Sequence, residues 1–310
     1  MIHPFAIQPE VVLGWGADPA IFSYIKKSFG RGSPRVLLEL PKYSKWKSLA
    51  STTVLNDPSI TDHQRKRVEV LIKLLGEGSV RRFDLAWDGN QRWLDSAMDE
   101  WSRRHFRAVI AESGNSEAVL EASSIVEDPP PERWRVDGED PVEFQMAPEG
   151  YASCLMPLLR EDLEICFIDP YLEPGKKERD RVILELAQEA AAYRRPTKFV
   201  IKSSAEGDMK LPDAYFDEKA QEVGRRLPAS CTIQFDRLEE LPRGDKFHNR
   251  YVMTASGGLK FGNSFFYKEG GGQTDSATIM GPSLYRQIWS KYMDCEGFKV
   301  VHSITVSGRR

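Results

Sequence analysis

The sequence predicts an α/β protein built from two units, and three observations lead to this prediction. Short runs rich in β-branched residues alternate with longer segments whose apolar residues recur at helical spacing, a pattern typical of sheets flanked by helices. Three consecutive prolines at 129–131 interrupt the alternation, because proline neither continues a helix nor pairs inside a sheet. The 310 residues are enough for two domains. We predict an N-terminal α/β module over 1–125, a proline-rich linker over 126–141 and a C-terminal domain over 142–310.

The N-terminal module is expected to alternate strands and helices. Strands are predicted over 35–40, 80–87 and 106–111, and helices over 62–75 and 91–104. The helix at 62–75, with Asp62 as its expected N-cap, is predicted from four apolar residues at helical spacing: Val68, Leu71, Ile72 and Leu75. Three tryptophans are interpreted as core or interface anchors, with a binding surface as the alternative: Trp87, Trp93 and Trp101.

The C-terminal domain alternates more regularly, which predicts a mostly parallel sheet with helices on both faces. Helices are predicted over 144–159, 176–193, 213–227 and 284–293. Strands are predicted over 163–169, 197–202, 231–236 and 298–305, and two more are expected to hold His248 and Gly262. Ligand sites in such sheets lie at the carboxyl ends of the strands.

Composition and charge narrow the functional classes. The chain is 41% hydrophobic and 29% charged, with a net charge of -3 and a pI near 6.1, so nucleic-acid binding would need a local basic patch. The four cysteines form no C-x-x-C pair and are expected to be buried, reduced thiols. We find no signal peptide and no apolar run near 20 residues, which predicts a cytoplasmic protein without a transmembrane segment.

The stretch at 246–254 places a histidine and a cation at strand spacing. Residues two apart on an extended strand point to the same face, so His248 and Arg250 are expected side by side. An imidazole beside a guanidinium suits attack on a phosphodiester, because one group acts as nucleophile or acid/base while the other holds phosphate oxygens. Asn263 and Ser264, after the next predicted strand, would donate hydrogen bonds to the same phosphate.

The order of these motifs resembles the phospholipase D superfamily, whose hallmark is H-x-K, an Asp five residues after the Lys, and then G-S-x-N. The resemblance covers about 144–305. Arg250 stands in place of the Lys, Ala255 holds the Asp position, and residues 262–265 read G-N-S-F. The H-x-R variant followed by a glycine-rich strand is also similar to the phospholipase D-like C-terminal domain of MIT-domain proteins, which is a binding module.

This resemblance implies a site made of particular residues. His248, Arg250 and Asn263 would be catalytic. Phospholipase D-like proteins often carry an Asp-Pro-Tyr at the rim of the site, which implies that Asp169 orients His248 and that Tyr171 lines the pocket. The other expected substrate-binding residues are Ser264, Lys246 and Lys260, where the two lysines would form a basic patch if they converge with Lys202 near His248.

Each of these residues also has an ordinary structural interpretation. His248 would then be a satisfied structural histidine, and Arg250 would pair with Asp245 or another acid. Asn263 and Ser264 would stabilise a turn after Gly262. The segment at 169–171 would be a strand-to-loop turn that Pro170 ends.

The leading hypothesis is a metal-independent nuclease or phosphodiesterase that uses no cofactor, in the context of bacterial restriction or phage defence that the resemblance implies. The family reaction uses two histidines, and the chain has one such motif, so we expect a homodimer with His248 of both copies at one site. The alternative is a catalytically inactive phospholipase D-like module that binds a protein, nucleic acid or membrane. A third hypothesis is a structural subunit whose N-terminal module contacts a protein partner.

Overall fold

The computed structural model describes residues 2–82, 85–136, 141–193, 196–206, 211–242, 244, 246–267 and 270–309. The contacts divide the chain into two compact units, Ile2–Asp137 and Gly138–Arg310. Each unit contains one β-sheet and several helices, and the α/β prediction is therefore confirmed.

The N-terminal unit contains a five-stranded, all-parallel sheet with the order β3-β2-β1-β4-β5. Its strands are β1 (His3–Ile7), β2 (Arg35–Glu39), β3 (Val80–Arg81), β4 (Ala108–Ala111) and β5 (Val119–Glu121). Its helices are α1 (Val11–Ala17), α2 (Pro19–Ser28), α3 (Tyr43–Asn56), α4 (Asp62–Glu77) and α5 (Trp93–Arg103), and a 3-10 turn spans Ser124–Val126. The strand predicted at 80–87 covers only two described residues, and Thr61 rather than Asp62 caps α4, because Thr61 and Gln64 form a reciprocal capping box.

The predicted linker differs from the structure, in which residues 126–136 pack against the N-terminal unit. Trp134 is 1% exposed and belongs to the hydrophobic core of that unit. Its indole N–H donates to the Tyr24 hydroxyl at 2.6 Å, and Arg35 donates to its carbonyl at 2.6 Å. Proline prevents regular secondary structure but not burial, so composition alone gave the wrong extent here; residues 137–140 lie outside the described part.

The C-terminal unit contains an eight-stranded sheet with the order β13-β9-β8-β7-β10-β11-β12-β6. Its strands are β6 (Val142–Gln145), β7 (Glu164–Ile168), β8 (Thr197–Ser204), β9 (Cys231–Glu240), β10 (Arg250–Met253), β11 (Gly258–Phe261), β12 (Thr274–Ile279) and β13 (Phe298–Ser307). Its helices are α6 (Pro148–Glu161), α7 (Lys177–Ala191), α8 (Asp213–Gly224) and α9 (Pro282–Ile288), which a π-helical turn (Trp289–Met293) continues.

The expectation of a mostly parallel C-terminal sheet was wrong. Only the pairs β7–β8 and β8–β9 are parallel, and the other neighbouring pairs run antiparallel. For β10 and β11 the physical reason is the short link between them, which allows only an antiparallel hairpin. The helix predicted from 144 begins at Pro148, and Phe144 instead pairs with Asp275 in the sheet.

Helices cover both faces of this sheet. On one face, Phe216 of α8 packs edge-on against Phe235 of β9 with ring centroids 6.0 Å apart. On the other face, Tyr285 and Ile288 of α9 join Cys166 and Val200 in a second core cluster. Chain reversal in the antiparallel pairs brings the start of β10 beside the ends of β7 and β11, and this edge holds the candidate site.

Candidate phosphate-binding site

Arg250 begins β10 at the edge of the sheet where β7 and β11 end. The register pairs Tyr251 with Ile168, which is the last residue of β7, so Arg250 lies next to the loop that begins at Asp169. On its other side Arg250 pairs with Phe261, which is the last residue of β11. The sheet therefore places the guanidinium between two loops that follow strand ends.

The Arg250 side chain is held by packing rather than by an acid. Its guanidinium carbon lies 5.4 Å from the centre of the Tyr171 ring, a cation–π distance, and the Tyr171 side chain is 51% exposed. The Nε atom is buried and finds no hydrogen-bond acceptor among the described residues, and no described acid pairs with the guanidinium. Asp245, the acid named as an alternative partner, lies outside the described residues.

His248 precedes β10 and is exposed, so the strand begins two residues later than the sequence predicted. The segment before it is anchored by Glu240, the last residue of β9. One Glu240 carboxylate oxygen accepts from the Phe247 backbone N–H at 2.9 Å and the other pairs with Lys246. The hydrogen bond from Lys246 holds the pKa of Glu240 below its usual value. Glu240 thus holds the backbone immediately before His248, and the exposed Lys246 pairs with the same carboxylate.

Asp169 joins the loop after β7 to the loop after β11. Its carboxylate accepts from the backbone N–H of Tyr171 at 3.0 Å, from the Ser264 hydroxyl at 3.1 Å and from the Phe265 backbone N–H at 3.0 Å. The residue is fully buried, and this burial raises the pKa of the carboxyl although the three hydrogen bonds oppose the shift. Asp169 therefore positions Tyr171, and its hydrogen bonds within the described residues do not include His248.

Asn263, in the loop after β11, is hydrogen-bonded to Asp275 of the next strand, β12. Its side-chain amide donates to Asp275 at 3.2 Å and its backbone N–H donates to the second oxygen of the same carboxylate at 3.1 Å. The Tyr151 hydroxyl donates to the carbonyl of Ser264 at 3.3 Å. Such contacts stabilise a turn, which is the structural interpretation that the sequence left open for Asn263.

The structure brings some predicted residues together and separates others. Arg250, Tyr171, Asp169 and Ser264 gather where β7 and β11 end and β10 begins. Lys260 is different, since it pairs with Tyr251 and so projects from the opposite face of the sheet to Arg250. Lys202, which was expected to join a basic patch, is buried and pairs with Asp236 at 3.2 Å.

Sequence reasoning missed Glu240 and Asp275, the two acids that hold the segments on which His248 and Asn263 lie. Glu240 carried no signal of this role, because the strand was predicted to end at 236 and the structure extends β9 to Glu240. Asp275 carried none, since its segment was not predicted as a strand.

Neither the models of protein families nor the curated proteins give a match to this chain. In the described part of the chain, no helix has the length and apolar character needed to cross a membrane.

Proposed function

We propose that the C-terminal unit is a phospholipase D-like binding module that captures the phosphate group of a phosphorylated ligand through Arg250. One observation carries the proposal: the guanidinium of Arg250 makes no hydrogen bond and no ion pair with the described residues, whereas Arg237, whose buried Nε also makes no hydrogen bond, pairs with Asp213 and Glu173 through its other nitrogens. A charged donor that is removed from water without an acceptor costs about 1–3 kcal/mol, and a phosphate oxygen at this point recovers that energy. The planar guanidinium favours phosphate because it donates two parallel hydrogen bonds.

The neighbours of Arg250 favour a role in binding a phosphate over a role in stabilising the fold. Tyr171 packs on the guanidinium and limits its motion, which preorganises the donors. Asp169 is close to this side chain in the sheet, yet its carboxylate is directed to three other donors, so it does not neutralise the guanidinium through an ion pair. His248 is exposed two residues earlier and adds a second donor to the same ligand.

The test is a binding titration of the full chain with two phosphodiesters, a ten-residue oligothymidylate and vesicles that contain phosphatidylserine. We expect Arg250→Ala to lower the affinity for the phosphodiester that the wild type binds by at least tenfold. Arg250→Lys should lower this affinity less. Lys260→Ala is the matched control, because it removes one positive charge from the opposite face of the sheet, and its affinity should stay within twofold. Equal losses for Arg250→Ala and Lys260→Ala would show diffuse electrostatic attraction and would overturn the proposal.

A second candidate is hydrolysis of the bound phosphodiester without metal in a homodimer. The observation that favours it is the exposure of His248 two residues before Arg250, because an exposed imidazole is accessible to a phosphate that a second copy also contacts. Cleavage of DNA, RNA or a model diester in EDTA, lost in His248→Ala, would support it. Binding without cleavage by a protein whose mass is that of a monomer would leave only the binding function.

A further inference from the structure

The carboxyl ends of β2 and β3 in the N-terminal unit border a cleft of about 350 Å³. These two strands are parallel neighbours, with Glu39 paired to Arg81, so the segments that follow them lie side by side. Ligands of open parallel sheets bind at this edge, and the volume lies in the range of small-molecule pockets. The cleft belongs wholly to the N-terminal unit and is separate from Arg250.

Four cations line the cleft: Lys42, Lys45, Arg81 and Arg82. None of the described lining residues is acidic. The charge of Arg82 is balanced by Glu100 at 2.8 Å, but Lys42 and Lys45 are exposed and have no ion pair within the described residues. Lys42 and Lys45 therefore offer the cleft positive charge that no described acid pairs with, which suits an anion.

The nearby end of helix α3 adds little to this attraction. Its first backbone N–H, at Tyr43, donates to a carboxylate oxygen of Glu39 at 3.0 Å, and Glu39 also accepts from the Ser79 hydroxyl at 2.8 Å. The Glu39 carboxylate thus already compensates the positive end of the helix. Attraction of an anion to the cleft is therefore assigned to its cationic side chains and not to the helix end.

One wall of the cleft is the indole of Trp87, which is half-buried. The ring packs against Trp93 with centroids 6.0 Å apart and an interplanar angle of 57°, and Trp93 donates to the Leu40 carbonyl at 3.0 Å. These contacts hold the indole in place. An aromatic wall beside exposed lysines offers two surfaces at once, a flat apolar one for a planar ring and a charged one for phosphate.

We propose that this cleft binds a nucleoside phosphate, with the base stacked on Trp87 and the phosphates held by Lys42 and Lys45. Stacking of a base on an aromatic side chain is sequence-tolerant and worth about 1–3 kcal/mol, and ammonium groups bind phosphate as point charges. The pairing of the two surfaces predicts that the base and the phosphates contribute together. ATP should therefore bind more tightly than adenosine or inorganic triphosphate.

The test is calorimetric titration of the full chain with ATP, adenosine and inorganic triphosphate in EDTA. The double variant Lys42→Ala with Lys45→Ala should lower the affinity for ATP at least tenfold. Lys47→Ala is the matched control, because Lys47 is an exposed lysine of the same helix that does not line the cleft, and it should change affinity less than twofold. Trp87→Ala should lower the affinity for ATP at least fivefold, whereas Trp87→Phe should keep most of it.

Arg250→Ala should bind ATP like the wild type, so failure of the C-terminal proposal would leave this one standing. No binding of ATP at millimolar concentration would overturn the assignment. Equal losses for Lys47→Ala and the double variant would also overturn it, as would a clear preference for a ten-residue oligothymidylate over ATP. The lysines are exposed, so their variants are expected to fold, and unchanged near-UV circular dichroism would establish that a loss of affinity is local.

Discussion

Two arginines, one in each unit, differ in their partners. Arg82 in the N-terminal unit is 3% exposed and donates to Glu100 at 2.8 Å and to the Arg104 carbonyl at 2.6 Å. The Nε of each arginine is buried and makes no hydrogen bond, but the Arg250 guanidinium in the C-terminal unit packs against an aromatic ring and makes no ion pair with the described residues. Partners, rather than residue type, distinguish an arginine that supports the fold from one that is prepared for a ligand.

The Arg82 network illustrates the structural case. Glu100 is 1% exposed and pairs with both Arg82 and Arg103, each at 2.8 Å, so one buried carboxylate balances a buried and a partly exposed cation. Arg82 also lies over the Phe106 ring at 5.1 Å. These contacts of Arg82 and Glu100 are all with other residues of the N-terminal unit. Removing one member leaves a charge inside the protein, whereas Arg250 has no acidic partner among the described residues and would gain an ionic partner from the phosphate in the proposed function.

Glu100→Ala is expected to have the largest effect on stability. The change leaves the buried charge of Arg82 uncompensated, which costs about 3–5 kcal/mol. Urea denaturation measures the loss. Glu117→Ala is the control, because Glu117 forms a 3.9 Å ion pair with Arg133 and is 79% exposed, and it should cost less than about 0.5 kcal/mol. A loss of less than about 1 kcal/mol in the free energy of unfolding of Glu100→Ala would contradict the distinction between the two arginines.

Asp169→Ala is expected to have the next largest effect. It leaves the backbone N–H groups of Tyr171 and Phe265 and the Ser264 hydroxyl without their acceptor, at a cost of about 1–3 kcal/mol in urea denaturation. Ser264→Ala removes one of these bonds and should cost about 1 kcal/mol or less. Because Asp169 positions Tyr171, its loss should also weaken phosphodiester binding; unchanged binding would show that the Tyr171 loop does not shape the site.

Asp180 is expected to make the stability of the protein depend on pH, with an effect of intermediate size. Burial raises the pKa of its carboxyl to about 6, although the hydrogen bond from the Gly175 N–H opposes the shift. The folded state therefore binds this proton more tightly than the unfolded chain, so the contribution to stability is present below about pH 4 and is lost as the pH rises through 6. Asp180→Asn should remove this loss.

Thermal denaturation from pH 4 to pH 8 tests this prediction. Asp180→Asn should be more stable than the wild type at pH 7 by about 1–2 kcal/mol, after allowing for the solvent that still reaches a half-buried group. The two curves should converge toward pH 4, which serves as the internal control. Parallel curves at all pH values would contradict the assigned pKa shift.

Local patterns predicted the elements that are locally determined. The apolar spacing in α4 and the compact apolar run of β7 identify these elements because their own residues supply the periodicity. Strand β12 reads T-D-S-A-T-I and shows no such pattern, since its structure comes from pairing with β11 and β6. Helix α3 is rich in Ser and Thr, and its Trp46 is buried and donates to the Ile7 carbonyl at 2.6 Å, a partner distant in sequence.

The features of the candidate site also divide into those that local sequence predicts and those that depend on nonlocal pairing. The spacing of His248 and Arg250 was visible in the sequence, because it needs only two residues on one chain segment. The bond between Asn263 and Asp275 spans a loop of unpredicted length, and the side of the sheet that Lys260 faces depends on register with Tyr251. Sequence therefore indicated which chemistry to seek, while nonlocal pairing decided which side chains meet.

Arg250→Ala is expected to have the smallest effect on stability and the sharpest effect on binding. The substitution removes a buried donor without an acceptor among the described residues, so the loss of packing on Tyr171 is largely offset and the free energy of unfolding should change by less than about 1 kcal/mol. Phosphodiester affinity should nevertheless fall at least tenfold. Urea denaturation and the binding titration on one preparation measure both quantities. If Arg250→Ala destabilised the protein as much as Glu100→Ala, Arg250 would be a second structural arginine.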